Sequence, residues 1–145
     1  MSKGNRLVLY VEDDIDHAEL VRRSLVRHAH GGSIVHIEDG AAALDYLARV
    51  DSADVERPGL ILLDLRLPKV DGLEVLRSVK TNPRLSDIPV VVLTTSASDG
   101  DIQRAYEQRA NSYLVKPEDF PSLDDMMRSL GSYWLYWNAL PAAEH

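Results

Sequence analysis

Four short stretches, residues 7–11, 60–63, 90–93 and 113–115, are apolar without alternation. A strand wetted on one face alternates apolar and polar side chains, so these runs predict strands buried on both faces. Residues 33–37 (Ser-Ile-Val-His-Ile) do alternate and read as an edge strand. Segments with helical spacing lie between them. Ala18, Val21 and Leu25 share a face in 15–28, with Arg22, Arg23 and Arg27 opposite. Ala43, Leu44, Leu47 and Val50 do so in 40–50, and Leu73, Leu76 and Val79, with Val75 alongside, in 72–80. Asp99 is placed to cap a helix carrying Ile102, Ala105 and Tyr106. A last helix starts near Pro121, a residue suited to a first helical turn, with Leu123, Met127, Leu130, Trp134 and Trp137 at spacings of 4, 3, 4 and 3. Five β-α repeats predict a parallel sheet with helices on both faces, and right-handed crossovers leave strand order 2-1-3-4-5.

That order is the flavodoxin-like one, a three-layer α/β sandwich. The whole chain, 1–145, reads as one domain with a core at about 6–130 and an aromatic helical extension at about 131–141. No Cys is present, which excludes thiolate metal sites, disulfides and Cys nucleophiles. Lys+Arg 16 against Asp+Glu 23 gives a formal charge of −7, contrary to the basic surface that direct nucleic-acid binding requires. The longest uncharged run, 129–143, is too short and too polar to span a bilayer, and residues 1–5 lack a signal-like apolar stretch. The expectation is a cytoplasmic protein away from membranes.

Open α/β sheets bind ligands beyond the C-terminal ends of their strands, where strand order reverses. This sequence puts Glu12-Asp13-Asp14 after the first strand, Asp64 after the third, Thr94 at the fourth and Lys116-Pro117 after the fifth. Glu12, Asp13 and Asp64 are therefore expected to converge. Two carboxylates about 4 Å apart repel by roughly 4 kcal/mol at an effective dielectric near 20, so three need a counter-charge. Oxygen-only ligands favour Mg²⁺. Metal, carboxylate, hydroxyl and ammonium together suit phosphoryl chemistry, with Asp64 as the nucleophile that forms an acyl phosphate. Each residue alone has a plainer reading: Asp14 or Asp16 as a helix cap, Thr94 as a strand-end hydroxyl, Lys116 as a solvated charge. The joint pattern at four strand ends carries the functional one.

Val11-Glu12-Asp13-Asp14, Leu62-Leu63-Asp64-Leu65-Arg66-Leu67-Pro68 with Asp71-Gly72, Pro89-Val90-Val91-Val92-Leu93-Thr94 and Tyr113-Leu114-Val115-Lys116-Pro117 resemble a response-regulator receiver domain. The resemblance spans about residues 6–130 and implies a signalling domain, not an enzyme with turnover, that takes a phosphoryl group from a sensor histidine kinase onto Asp64. It implies Mg²⁺ held by Asp13, Asp64 and the Arg66 carbonyl, with Glu12 acting through a metal-bound water. Thr94 and Lys116 would contact phosphoryl oxygens, and the Lys116–Pro117 bond would be cis. Tyr113 would turn inward as Thr94 is drawn to the phosphoryl group, altering a surface on the fourth helix, fifth strand and fifth helix. Arg66 is bulkier than the residues many members carry there. Its side chain either hangs over the acyl phosphate and slows hydrolysis, or points to solvent.

Four of the nine aromatics fall within 133–137. A helix cannot turn all of these positions toward its own sheet, so the segment predicts a homodimer surface of Met127, Leu130, Tyr133, Trp134, Tyr136 and Trp137. Folding back of 133–140 onto the domain is the alternative. Thr94-Thr95-Ser96, the aromatic helix, the Ala139-Leu140-Pro141 ending and the charged 50–58 loop are similar to single-domain regulators paired with bacterial phytochromes, which implies a phytochrome-type kinase as donor. His28, His30 and His36 read as surface imidazoles. A haloacid-dehalogenase-type phosphatase would need an acid where Arg66 stands. A flavodoxin would need a phosphate-cradling loop where Glu12-Asp13-Asp14 would repel the ligand. A pseudo-receiver acting by contact alone is a third rival, disfavoured because no motif position is lost.

Overall fold

The computed structural model describes residues 6–52 and 54–141. The chain alternates β1 (Leu7–Val11), α1 (Ile15–Arg27), β2 (Ser33–Ile37), α2 (Gly40–Ala48), β3 (Leu60–Leu63), α3 (Gly72–Thr81), β4 (Val90–Thr94), α4 (Asp99–Glu107), β5 (Ser112–Val115) and α5 (Phe120–Leu130). A short 3₁₀ turn, Val50–Ser52, follows α2, and a π-helical segment, Gly131–Trp137, follows α5. The five strands are all parallel, in order β2-β1-β3-β4-β5. The expectation about residues 1–5 concerns positions outside the described ones.

Strand pleating sends alternate side chains to two cores. Leu7, Leu9, Val11, Ile61, Leu63, Val90 and Val92 meet α2, α3 and α4 through Ala43, Leu47, Val75, Leu76, Val79 and Ala105. Val8, Tyr10, Leu60, Leu62, Val91 and Leu93 meet α1 and α5 through Ala18, Val21, Leu25, Leu123 and Met127. Each fully buried aliphatic side chain contributes about 1.5–3 kcal/mol of transfer free energy. Each of α1 to α5 starts on a side-chain cap: Asp14, Asp39, Asp71, Ser98 and Asp119 each accept a backbone N–H from the first turn. Truncating such a cap costs about 1 kcal/mol.

Several expectations need correction. The cap of α4 is Ser98, whose Oγ accepts the Asp101 N–H at 3.0 Å, and Asp99 is the first helical residue. On the same helix Tyr106 is exposed. β1, β3 and β4 are buried throughout, whereas β5 is only half-buried because it forms the second edge of the sheet.

A further correction concerns the aromatic tail. Leu123, Met127 and Leu130 are buried as the helical spacing predicts, but after Gly131 the next buried residue is Leu135, not Trp134. Asn138 N–H bonds the Tyr133 carbonyl at 2.7 Å, five residues back. A turn closed i→i+5 holds about one residue more than an α turn, so the apolar face slips one position. Trp134 is half-buried against the core and Trp137 is 73% exposed. Gly131 lets this end of the helix approach α1, since a Cβ there would sit 2.0 Å from the His28 carbonyl oxygen. Nearby, Asp124 on α5 receives Ser24 Oγ at 2.5 Å, His28 Nε2 at 3.3 Å and the Arg27 guanidinium, so His28 is a partly buried clamp residue instead of a free surface imidazole.

Candidate functional site

Backbone pairing runs one residue past the strands and fixes the site. The Glu12 N–H bonds the Ile37 carbonyl at 3.0 Å, Asp64 N–H bonds Val11 at 3.1 Å and Lys116 N–H bonds Thr94 at 2.7 Å. Three charged residues are thereby locked at one edge of the sheet. Gly72, opening α3, lets that helix come close: a Cβ there would lie 2.2 Å from the Asp64 carbonyl oxygen.

The Lys116 ammonium is the centre of the site. It donates to Glu12 Oε1, lies 3.3 Å from Asp64 Oδ2 and 3.2 Å from His17 Nδ1. Glu12 also accepts the Tyr10 hydroxyl at 3.4 Å and the Asp14 N–H at 3.2 Å. Only 1% of Glu12 is exposed. Burial pushes its carboxyl up to about 7; the Lys116 hydrogen bond opposes this and the Asp64 charge adds to it. The Tyr10 phenol is raised strongly, by burial first and by Glu12 and Asp64 next.

The expected convergence of three carboxylates is corrected here. Glu12 and Asp64 share the Lys116 ammonium, but Asp13 is exposed, and no cluster of three His, Cys, Asp or Glu side chains placed to hold a metal ion occurs among the described residues. The Lys116 ammonium compensates the two buried carboxylates, and the third side chain stays in water, where a charge costs least. The Lys116–Pro117 bond is also not cis: no peptide bond among the described residues is. Trans is the lower-energy form of an X–Pro bond by about 0.5–1 kcal/mol unless the surroundings select the other.

Thr94 is fully buried and its Oγ1 takes a long contact, 3.5 Å, from the Ser96 N–H. Tyr113 is half-buried, and its hydroxyl donates to the Ser96 carbonyl at 2.8 Å. Burial raises its phenol, the Ser96 bond lowers it, and the Asp101, Arg66 and Asp64 charges all reach it. The Arg66 backbone N–H bonds Asp64 Oδ1 at 3.2 Å, but its guanidinium neither covers Asp64 nor hangs free: Nη2 bonds Asp101 Oδ2 at 2.6 Å. Met127 and Leu130, expected on the dimer surface, are buried in their own domain, and the exposed aromatics there are Tyr133, Tyr136 and Trp137.

Asp101 and His17 were not singled out by sequence, and Ser96 entered only as part of the Thr94-Thr95-Ser96 run. Asp101 looks like one more acid in a first helical turn, and His17 like a polar residue on an amphipathic helix, so neither carries a sequence signal.

Buried opposite charges at the strand ends, on a 2-1-3-4-5 sheet, define a receiver-type site. The chain belongs to the response regulator receiver domain family, whose sequence model matches residues 8–128. It is 49% identical over 135 residues to the probable methanogenesis regulatory protein FilR2 of Methanothrix harundinacea (strain 6Ac), covering 93% of this chain and 87% of that one. It is 41% identical over 143 residues to response regulator Rcp1 of Synechocystis sp. (strain ATCC 27184 / PCC 6803 / Kazusa), covering 98% and 97%. The crystal structure of the Mn²⁺-bound form of Rcp1 superposes with a TM-score of 0.85 at 40% identity, over 94% of this chain and 99% of that one. The phosphorylated cyanobacterial phytochrome response regulator RcpA gives 0.89 at 36% identity, over 96% and 100%. Among the described residues no helix is long and apolar enough to cross a membrane.

Proposed function

We propose that Asp64 accepts a phosphoryl group from a sensor histidine kinase and that the modified domain signals through a protein surface, without catalytic turnover of its own. The observation that carries this is the Lys116 ammonium held between Glu12 and Asp64 at the C-terminal edge of the sheet. Asp64 is nearly buried, with Oδ1 held by the Arg66 N–H and Oδ2 by Lys116, so an attacking oxygen is held in fixed orientation. Its carboxylate oxygen attacks phosphorus as the bond to the donor breaks, and the leaving group keeps the electron pair. Lys116 is placed to follow the phosphoryl oxygens, and the Thr94 hydroxyl to donate to another.

The residues also fit a Mg²⁺ ion. The donors are hard oxygens, and the Glu12 carboxyl, raised by burial first and also by the Asp64 charge, would be stabilised in its ionised form by a nearby cation. Asp13, Asp64 and the Arg66 carbonyl would hold it, with Glu12 acting through water; the Mn²⁺-bound form of Rcp1 supports a divalent ion at such a site. When bound, the ion supplies charge neutralisation on the phosphoryl oxygens.

A hydroxyl drawn toward the new charge leaves space beside β4, and the Tyr113 ring is the neighbour able to fill it by giving up its Ser96 bond. The readout surface is then α4, β5 and α5. We further infer a single cytoplasmic domain, a homodimer formed through Tyr133, Tyr136 and Trp137 with half-buried Trp134, and a phytochrome-type kinase as donor, supported by the likeness to RcpA. No role for nucleic acid or membrane is proposed. Incubation with Mg²⁺ and acetyl phosphate should add one phosphoryl mass to the wild type and none to Asp64→Asn. Transfer from an autophosphorylated phytochrome kinase, and none from an unrelated kinase, supports the donor; sizing chromatography reads the dimer. An unmodified wild-type chain contradicts the reading.

A further inference from the structure

Asp101, in the first turn of α4, is 2% exposed and belongs to no step described so far. Its Oδ2 accepts Ser96 Oγ at 2.6 Å and Arg66 Nη2 at 2.6 Å, and its Oδ1 accepts Arg104 Nη2 at 2.7 Å. Arg66 stands two residues after Asp64. Its backbone serves the acceptor, through an N–H on Asp64 Oδ1, while its charge serves α4.

We propose that Asp101 is a positioning residue: it holds the Arg66 guanidinium away from Asp64 in the unmodified protein and competes for it with the acyl phosphate, so that this competition sets the lifetime of the modified state. This rests on the reading of Asp64 as the acceptor. A phosphoryl group brings up to about two negative charges and three strong acceptors, against the single charge of Asp101. A guanidinium matches phosphate oxygens with two parallel donors. Release leaves Asp101 its Ser96 and Arg104 partners, so no buried carboxylate is stranded. The Arg66 side chain is 63% exposed, so little packing resists the swing.

Decay of the acyl phosphate requires a water oxygen to attack phosphorus opposite the Asp64 oxygen. The P–O bond to Asp64 breaks, its electron pair returns to the carboxylate, and the water protons leave with inorganic phosphate and solvent. A guanidinium over that outer face excludes the water. The more firmly Asp101 holds Arg66, the shorter the lifetime.

The full chain is loaded with acetyl phosphate and Mg²⁺, the donor is removed, and decay is followed by intact mass. Asp101→Asn should lengthen the lifetime, on the order of fivefold for coupled charged neighbours. Arg66→Met should shorten it, and the double variant should match Arg66→Met, because Asp101 acts only through Arg66. Arg104→Met lies on an exposed side chain and spares the fold; it leaves Asp101 a stronger hold on Arg66 and should shorten the lifetime. An unchanged or shorter lifetime in Asp101→Asn, an Asp101→Asn effect that survives in Arg66→Met, or a longer or unchanged lifetime in Arg104→Met overturns the proposal. A wild-type chain that takes up no phosphoryl group overturns the acceptor reading instead.

Discussion

The strand-end site and the C-terminal aromatic segment are built on opposite terms. At the site, charged groups sit almost out of water, each fixed by backbone pairing that extends a strand by one residue. In the segment 131–137, apolar rings stand partly in water on a helix whose turn has widened. The first arrangement stores electrostatic tension, visible in the raised Glu12 carboxyl, which a cation or a new covalent charge can redistribute. The second leaves apolar surface that another protein surface can cover. Chemistry and contact are thus separated along the fold, joined through β4, β5 and the residues between Thr94 and Asp101.

The contrast is broken most severely by removing the central cation. Lys116→Met should cut phosphoryl uptake from acetyl phosphate by about 100-fold or more, the usual loss when a charge-stabilising donor is deleted. It should also drive the Glu12 carboxyl further above about 7, since the Lys116 hydrogen bond is what opposes burial there. Uptake within a few-fold of wild type would show that the ammonium is only structural.

In the aromatic segment the π turn predicts opposite results at two nearby apolar positions. Leu135→Ala, which opens a cavity behind α5, should cost about 2 kcal/mol or more in denaturant unfolding. Trp137→Ala should stay within about 0.5 kcal/mol while weakening dimerisation in sizing chromatography. Equal costs at the two positions would mean that the helix continues with α spacing.

A smaller effect is pH dependence. The Glu12 carboxyl is raised from 4.5 to about 7 on folding, so between those values the folded chain binds more protons than the unfolded one. This group's contribution to stability is therefore greatest below about 4.5, declines as pH rises to about 7 and is flat above. Glu12→Gln should flatten that slope in unfolding midpoints taken across the window. Smallest of all, Ser98→Ala should cost about 1 kcal/mol as a lost cap, whereas Asp99→Ala should cost less.

The sheet order and the strand-end residues were legible because both follow from period and order alone. A buried strand has no wet face, and its C-terminal neighbour must lie at the sheet edge, so the order of the chain alone places Glu12, Asp64, Thr94 and Lys116. What lay beyond sequence depends on choices between near-equal partners. Whether Asp13 or Lys116 completes the Glu12–Asp64 pair, whether Arg66 reaches Asp64 or Asp101, and whether a helix turn takes an extra residue at Gly131 are each settled by a few kcal/mol of tertiary contact. The same limit hid the half-burial of β5: three apolar residues, Tyr113, Leu114 and Val115, look alike whether one face or two are covered.

The most direct test of the central claim is the position and chemistry of the modification. After treatment with acetyl phosphate and Mg²⁺, peptide mapping should find the phosphoryl group on Asp64 alone, removable by hydroxylamine as an acyl phosphate is, and absent when the metal is chelated beforehand. A phosphoryl group on a hydroxyl or imidazole side chain, or uptake indifferent to chelation, would contradict the account.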